Sequence, residues 1–308
     1  DLSEMKYSDG NKVIKIVPGM SNDDIFTVIP EQLKDVFEVF ASKNYRWTVY
    51  RDRCFFAFDL YIPETRQRLG AVFPGIAGFG ASFNAEFISH LKSIIHLPGL
   101  RGNPSRTYLK NAAGPDFPGT FENYVASTLS DWQQKKDSRL SEVGGALEEM
   151  GLTWKVRAEP VDDTQVELKV GRLPHSRRSR AHDLVSIADV GIGVSQVLPV
   201  VVALIVAKSG QIVYLEQPEI HLHPHAQRKL AHVINNAVKR NVVVVVETHS
   251  SLLLREIQTL VAKSELSPEK VALHWFQRQD DGRTVITSAD LDENGAFGPW
   301  PEDFDEVG

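Results

Sequence analysis

The chain has one cysteine, Cys54, in 308 residues, so no disulfide can form within it. Set among Arg53, Phe55 and Phe56, that thiol reads as a small buried hydrophobe, and such usage fits a reducing, cytoplasmic compartment. No apolar stretch reaches the roughly 18 to 20 residues that span a bilayer, and the start, Asp1-Leu2-Ser3-Glu4, has neither a basic nor an apolar leader region. Membrane insertion and secretion are disfavoured. Positive charge is also short: 34 lysines and arginines against 40 acids leave a net charge of −6, with no bulk attraction to nucleic acid. DNA contact would need a local patch. A phosphate-cradling loop of the form GxxxxGK followed by Ser or Thr is missing too. The glycine-rich run from Pro74 to Ser82 lacks the lysine and reads as a turn before a helix.

What is present is the composition of a globular protein, 42% hydrophobic and 24% charged. The chain opens without a methionine into the strand-like run Lys12 to Val17, as a piece of something longer would. Up to about Gly80, short alternating runs mix with one helical stretch opened by Pro30, an α+β pattern. Apolar residues at Phe83, Phe87, Leu91, Ile94 and Ile95 recur at helical spacing, which predicts a helix from Ser82 to His96 stopped by Pro98-Gly99. A loop follows to Gly119. Residues Thr120 to Met150 are predicted mostly helical, with Leu140, Val143, Leu147 and Met150 on one stripe and Gly151 as the closing glycine. Thr153 to Ala158 and Gln165 to Val170 read as a hairpin, and His175 to His182 as a polar loop.

From there the rhythm is α/β. Helices are predicted at Ser195 to Lys208, with Pro199 in the first turn, at Pro224 to Lys239 and at Ser250 to Lys263. Strands are predicted at Gln211 to Glu216, Val242 to Glu247, Val271 to Gln277 and Thr284 to Ser288. The five valines Val242 to Val246 carry no polar alternation, the mark of a parallel strand covered on both faces. The tail from Asn294 is acidic and turn-rich, packed through Phe297 and Trp300. The resulting division is an α+β portion at 1–151, an α/β portion at 152–290 and a tail at 291–308.

Three blocks carry chemistry. Ile212 to Pro224 is an apolar strand delivering acids at its carboxyl end, where open parallel sheets bind ligands and a carboxylate can hold Mg²⁺ or a bridging water. The same acids could merely cap the next helix. The second block is the valine strand followed by Glu247-Thr248-His249-Ser250, whose histidine could reach a terminal phosphate or simply bond within a turn. The third is Asp189 to Gln196, a glycine-bearing turn running into a helix, which offers backbone N–H groups to an anion. Two lesser signals have plainer explanations. His221, His223 and His225 could ligate zinc, but the intervening Pro224 favours a structural turn. Arg177-Arg178-Ser179-Arg180 could touch a DNA backbone, yet a few cations on a loop are usually just solvated.

Together, in this order, the three blocks resemble ABC-type ATPase heads of the structural-maintenance-of-chromosomes and overcoming-lysogenization-defect kind. More narrowly, Val190 to Pro199, Leu215 to Pro224, Glu247 to Ser250, Arg255, and Leu291 to Gly295 through Trp300-Pro301 resemble a bacterial family of AAA/ABC-type ATPases with an uncharacterised C-terminal domain. The stretch Leu97 to Tyr108 also resembles that family's arginine-containing segment. The likeness covers roughly residues 90 to 308. It implies the C-terminal part of a P-loop NTPase of the ABC head type, with a parallel sheet and flanking helices behind the α+β N-terminal portion.

By position, the resemblance makes Glu216 the Walker B acid of the Mg²⁺ shell and His249 the switch histidine. Gly191, Gly193, Ser195 and Gln196 fall in the signature segment, which in such dimers meets the γ-phosphate held by the opposite subunit. His221 to Pro224 take the D-loop position at the dimer seam. The implied cofactors are ATP and Mg²⁺. The implied partner is a second copy, as a homodimer or higher oligomer closed by an ATP sandwich, with DNA or an effector protein beyond it and no membrane. The phosphate-binding loop then lies upstream of Asp1 or on another polypeptide.

The chain departs from the pattern in two places. Where many ABC heads have a glutamate after the Walker B acid, it has Gln217, which can orient a water but not accept its proton; Glu219 and Glu247 are the nearby alternatives. The paired glycines that usually follow the signature serine are also replaced. Two functions are therefore expected: an ATPase head coupling slow hydrolysis to a partner or nucleic-acid transaction, in antiviral defence or DNA maintenance, or a degenerate nucleotide-gated scaffold for a nuclease or other effector. A metal-dependent nuclease is weaker, since no second acidic motif supplies a two-metal site.

Overall fold

The computed structural model describes residues 4–8, 13–28, 46–52, 55–65, 89–111, 116–175 and 183–298. The chain divides into two compact units, Asp1–Leu91 and Lys92–Gly308. The helix opened by Pro30, the turn at 74–82, Cys54, the basic run at 177–180 and Trp300 all lie outside the described residues.

The first unit is α+β. Strands β1 (Met5–Ser8) and β2 (Val13–Ile16) pair antiparallel, as do β3 (Arg46–Asp52) and β4 (Phe55–Tyr61). Helix α1 (Asn22–Val28) starts at Ser21, whose hydroxyl accepts from the N–H of Asp24 at 3.2 Å and donates to its carboxylate at 2.7 Å, satisfying donors that a helix start leaves open. Ile16, Ile25, Trp47, Val49 and Leu60 are buried in this unit.

The second unit is α/β and holds the larger core. Its centre is a three-stranded parallel sheet in the order β11 (Val243–Glu247), β10 (Ile212–Glu216), β5 (Ile95–Leu97). The interval Ile95–Leu97 corrects the sequence reading, which placed the end of a helix there. Residues 89–93 are helical, but Ile95 and Leu97 are fully buried with His96 turned to the other face, a period of two rather than 3.6. In this register Ile95 faces Val213 and Leu97 faces Leu215.

Helix α4 (Ile192–Val206) packs on β5 and β10, and the residues Val197 to Leu204 are all essentially inaccessible. Apolar on every side from Val197 onward, it is covered all round by the rest of this unit. It begins three residues before the predicted start, so Pro199 sits in its interior and not in its first turn. The glycine-bearing turn is thus shorter, and the helix accepts a proline that supplies no N–H to its ladder. Helix α5 (Pro224–Lys239) packs against β11, and α6 (Ser251–Ala262) packs on α5.

A second, antiparallel sheet has the order β6 (Tyr108–Leu109), β8 (Gln165–Gly171), β7 (Val156–Pro160), with β9 (Leu184–Ser186) also on β8. The predicted hairpin is its core. Helices α2 (Val125–Lys135) and α3 (Arg139–Glu149) fill the predicted helical stretch, broken where Lys136 takes a φ of 54°. Gly151, at φ 72°, closes α3 as expected, its N–H bonded to the carbonyl of Glu148. Strands β12 (Ala272–Arg278) and β13 (Thr284–Asp290) form an antiparallel ribbon, after which Leu291 is buried in the core and Phe297 packs against it.

The valine strand departs from expectation in one respect. Val242, Val244 and Val246 turn toward the core, whereas Val243 and Val245 are 52% and 47% exposed. A run of β-branched residues reports fitness for a pleated strand, and it does not say how many faces are covered.

Candidate active site

All three parallel strands end at one edge, with Leu97 opposite Leu215 and Glu216 opposite Glu247. Three loops leave that edge: Pro98 to Arg101, Gln217 to His223, and Thr248 to Ser250. Glu216 is held from the first loop and its strand. Its Oε1 bonds His96 Nε2 at 2.9 Å, and its Oε2 accepts from the N–H of Gly99 at 3.1 Å. These two contacts, His96 first, hold its carboxyl below the ordinary carboxylate range and keep it ionised. The His96 ring is fixed in turn by stacking on Tyr214, centroids 5.1 Å apart.

Gln217 turns the chain out of the sheet with a φ of 42°, in the left-handed region that a side chain disfavours. Its N–H donates to Glu247 O at 2.8 Å, which ties the turn to the neighbouring strand end. Its side-chain oxygen lies over Gly99, 3.6 Å from where a Cβ would stand. Glu219 is buried two residues on. Its Oε1 accepts the N–H of His249 at 2.9 Å, and its Oε2 has no hydrogen-bond partner among the described residues. Thus the loops carrying Gln217 and His249 are bonded directly, and Glu216, Gln217, Glu219 and His249 share one sheet edge.

The remaining bonds stiffen this edge. Ser250 caps α6 by accepting from Leu253 N–H, and its hydroxyl donates to Gln227 Oε1 at 2.6 Å. Gln227 donates onward to Leu222 O at 2.9 Å. Of the three histidines weighed as zinc ligands, His223 caps α5 through its ring, His225 bonds Glu149 O at 3.3 Å, and His221 is exposed at φ 64°. The described residues contain no group of three or more His, Cys, Asp or Glu placed to hold a metal.

The turn at 189–196 joins the edge through packing. Gly193 lies against His221 O, 3.0 Å from where a Cβ would stand, so a side chain there would push the His221 backbone away by a few tenths of an ångström. Gly191 and Ile192 are exposed at the start of α4. Ser195 donates to Ile192 O at 2.8 Å, and Gln196 is buried with its amide donating to Gly102 O at 3.1 Å. Those two polar side chains therefore bond within the chain. Arg106 pairs bidentately with Asp189 at 2.8 and 3.1 Å, a second tie between the Gly102 to Arg106 loop and this turn.

Sequence reasoning missed three contributors: His96, Gly99 and Arg101. The alternation of Ile95, His96 and Leu97 carried the signal, masked by the helical spacing that leads into it. The Glu216 carboxylate, the Gln217 amide oxygen and the Glu219 oxygen lacking a partner are hard oxygen atoms of the kind Mg²⁺ prefers, so the donor chemistry at this edge fits that ion although these residues do not form a closed metal site. They supply no lysine-bearing loop for the inner phosphates.

Two family models match the chain. The first, an AAA domain described as putative AbiEii toxin, type IV TA system, matches residues 29–255 and so includes every residue of the site. The second, a protein of unknown function (DUF3696), matches residues 266–306. No curated protein is detectably similar in sequence. Among solved structures, an SMC head bound to the C-terminal winged-helix domain of ScpA is similar at 12% identity and a TM-score of 0.41, covering 94% of this chain and 98% of that one. An SMC ATPase studied for ATP-driven dimerization and DNA-stimulated activation is similar at 11% and 0.38, covering 52% and 88%. The Pyrococcus furiosus Smc head with an extended coiled coil, bound to the C-terminal domain of ScpA, is similar at 9% and 0.37, covering 52% and 37%. With a family match over more than half its length, the chain belongs to the AAA domain family described as putative AbiEii toxin, type IV TA system.

Proposed function

We propose that this chain is the signature and Walker B part of an ATPase head that binds ATP and Mg²⁺ between two subunits and couples slow hydrolysis to a partner or nucleic-acid transaction, in defence or DNA maintenance. The observation that carries the reading is the bonded edge itself: Glu216 and Glu247 end adjacent parallel strands in register, and Glu219 joins the Gln217 turn to His249. In this reading Glu216 holds the Mg²⁺ shell, kept ionised and oriented by His96 and Gly99. Bound Mg²⁺ would neutralise charge on the terminal phosphates. Gln217 orients the attacking water, and the unpartnered oxygen of Glu219 is the base that the amide cannot be. His249, exposed at the same edge, donates to the terminal phosphate. The exposed start of α4, at Gly191 and Ile192, faces the partner's nucleotide, and Gly193 sets how closely that turn sits on His221. No described helix is long and apolar enough to cross a membrane.

Gln217 also favours a second reading, a nucleotide-gated scaffold that scarcely hydrolyses. ATP turnover separates the two, measured with the polypeptide that supplies the GxxxxGK[ST] loop present. A slow native rate raised about tenfold or more by Gln217→Glu marks a slow enzyme. A rate near zero in both, with Mg²⁺-dependent ATP binding intact, marks the scaffold. If neither binding nor turnover responds to Glu216→Ala or His249→Ala, both readings fail.

A further inference from the structure

Arg101 lies in the loop that leaves β5, and it is only 9% exposed. Its Nη1 donates to the carbonyls of Pro98 at 3.1 Å and Glu216 at 3.3 Å, and its Nη2 donates to the carbonyl of Gln217 at 3.2 Å. All three acceptors are main-chain oxygens. Burying a cation is costly unless it is compensated, and burial does draw this guanidinium below its ordinary range, opposed through space by Glu122 and Glu219. Its Nε is buried without a partner among the described residues, and a rigid fork whose two terminal nitrogens bond only main chain is suited to holding main chain in place.

What it holds is strained. A side-chain-bearing residue at φ 42° costs roughly 1 kcal/mol or more, and persists only where its surroundings over-determine it. At Gln217 the N–H is fixed by Glu247 O at 2.8 Å, and the carbonyl accepts from Arg101 and from Ile220 N–H at 3.2 Å each. Of the groups fixing this peptide, Arg101 alone also grips the preceding carbonyl, that of Glu216.

We infer that Arg101 is a positioning residue for hydrolysis: by clamping the carbonyls of Glu216 and Gln217 it fixes the left-handed turn, and so the direction from which the Gln217 amide meets the attacking water. The inference rests on the ATPase reading above. Arg101 acts through Gln217 and not on the nucleotide. Lysine cannot substitute, because one ammonium does not reproduce a planar fork reaching carbonyls on two loops.

The test is a double-mutant cycle in this chain together with the polypeptide that supplies the phosphate-binding loop, using Arg101→Lys, Gln217→Gly and the pair. Glycine adopts a positive φ without a clamp and carries no amide to aim. The expected result is a fall in kcat of about tenfold or more for Arg101→Lys, with KM for ATP within about twofold of native. In the Gln217→Gly background the same change should cost less than about twofold. Equal losses in both backgrounds, or a loss confined to KM, overturn the inference. Arg101→Met, which leaves no buried cation, is the second variant should the lysine form fail to fold, with the same pattern expected.

Amide hydrogen exchange over residues 214–222 gives a readout independent of turnover. Exchange in that segment should quicken about tenfold in Arg101→Lys while β7 and β8 keep their native protection. Unchanged exchange, or uniform loosening, rules out the clamp. A native protein without ATPase activity, combined with local loosening in the variant, instead removes the hydrolytic reading and the catalytic half of this inference while leaving the backbone clamp standing.

Discussion

The two faces of the parallel sheet divide the work of the second unit. One face carries Ile95, Leu97, Val213 and Leu215, all essentially inaccessible, with Val244 and Val246 packed beside them on the core. The other carries His96, Tyr214, Glu216, Val243, Val245 and Glu247, every one of them partly or fully exposed. Because side chains alternate along a strand, the same short strands serve both ends: the covered residues hold the fold, and the alternate ones present an acid, an imidazole and an aromatic ring. Stability and chemistry are thus interleaved residue by residue, and substitutions one position apart should have effects of different kind.

The largest effect belongs to the covered face. Leu215→Ala empties a fully buried site in the middle strand and should lower unfolding free energy by about 2 to 5 kcal/mol in urea titrations. Val213→Thr, nearly isosteric, places a hydroxyl in the same layer and should cost about 1 to 3 kcal/mol, since that layer is apolar. If either variant melts like the native protein, the face described as the core is not carrying the fold.

On the other face the readout changes. His96→Ala removes the contact that orients Glu216 and the stacking on Tyr214, yet it empties no closed cavity, since the imidazole is 34% exposed. Turnover should fall about tenfold, the range typical of groups that orient a metal-binding carboxylate, with little change in Tm. His96→Gln, which can still present an N–H to the carboxylate, should recover part of the loss. A large drop in Tm for the alanine variant would instead make His96 a packing residue.

How much of this was legible follows from what each signal measures. The strand ends at Glu216 and Glu247, the helix start near Ser250, the cap at Gly151 and the hairpin β7–β8 could be read because strand period, helical spacing and turn glycines act over a few residues. The alternation at His96 and the arginine-containing segment with Arg101 were visible, but their roles were not, because those are set by partners 115 to 120 positions away in sequence. Ile95 misled because Leu91, Ile94 and Ile95 satisfy a helical spacing as well as Ile95 and Leu97 satisfy a strand, and pairing with β10 decides between them. Pro199 misled because a helix buried on all sides draws enough from packing to accept a missing donor in its interior.

The valine strand gives the sharpest control. Val213 and Val245 are the same residue type on adjacent strands, one inaccessible and one 47% exposed, on opposite faces of one sheet. Threonine keeps the β-branched shape and the preference for extended backbone, so the exchange at either site changes little beyond the solvation of one methyl-sized group. At Val245 the hydroxyl can reach water, and the expected change is within about 0.5 kcal/mol. The difference between the two unfolding midpoints, measured under one condition, therefore reports how far the two faces differ in coverage. A cost at Val245 approaching that at Val213 would mean that this face is also packed in solution, and the sequence reading of a strand covered on both faces would then hold.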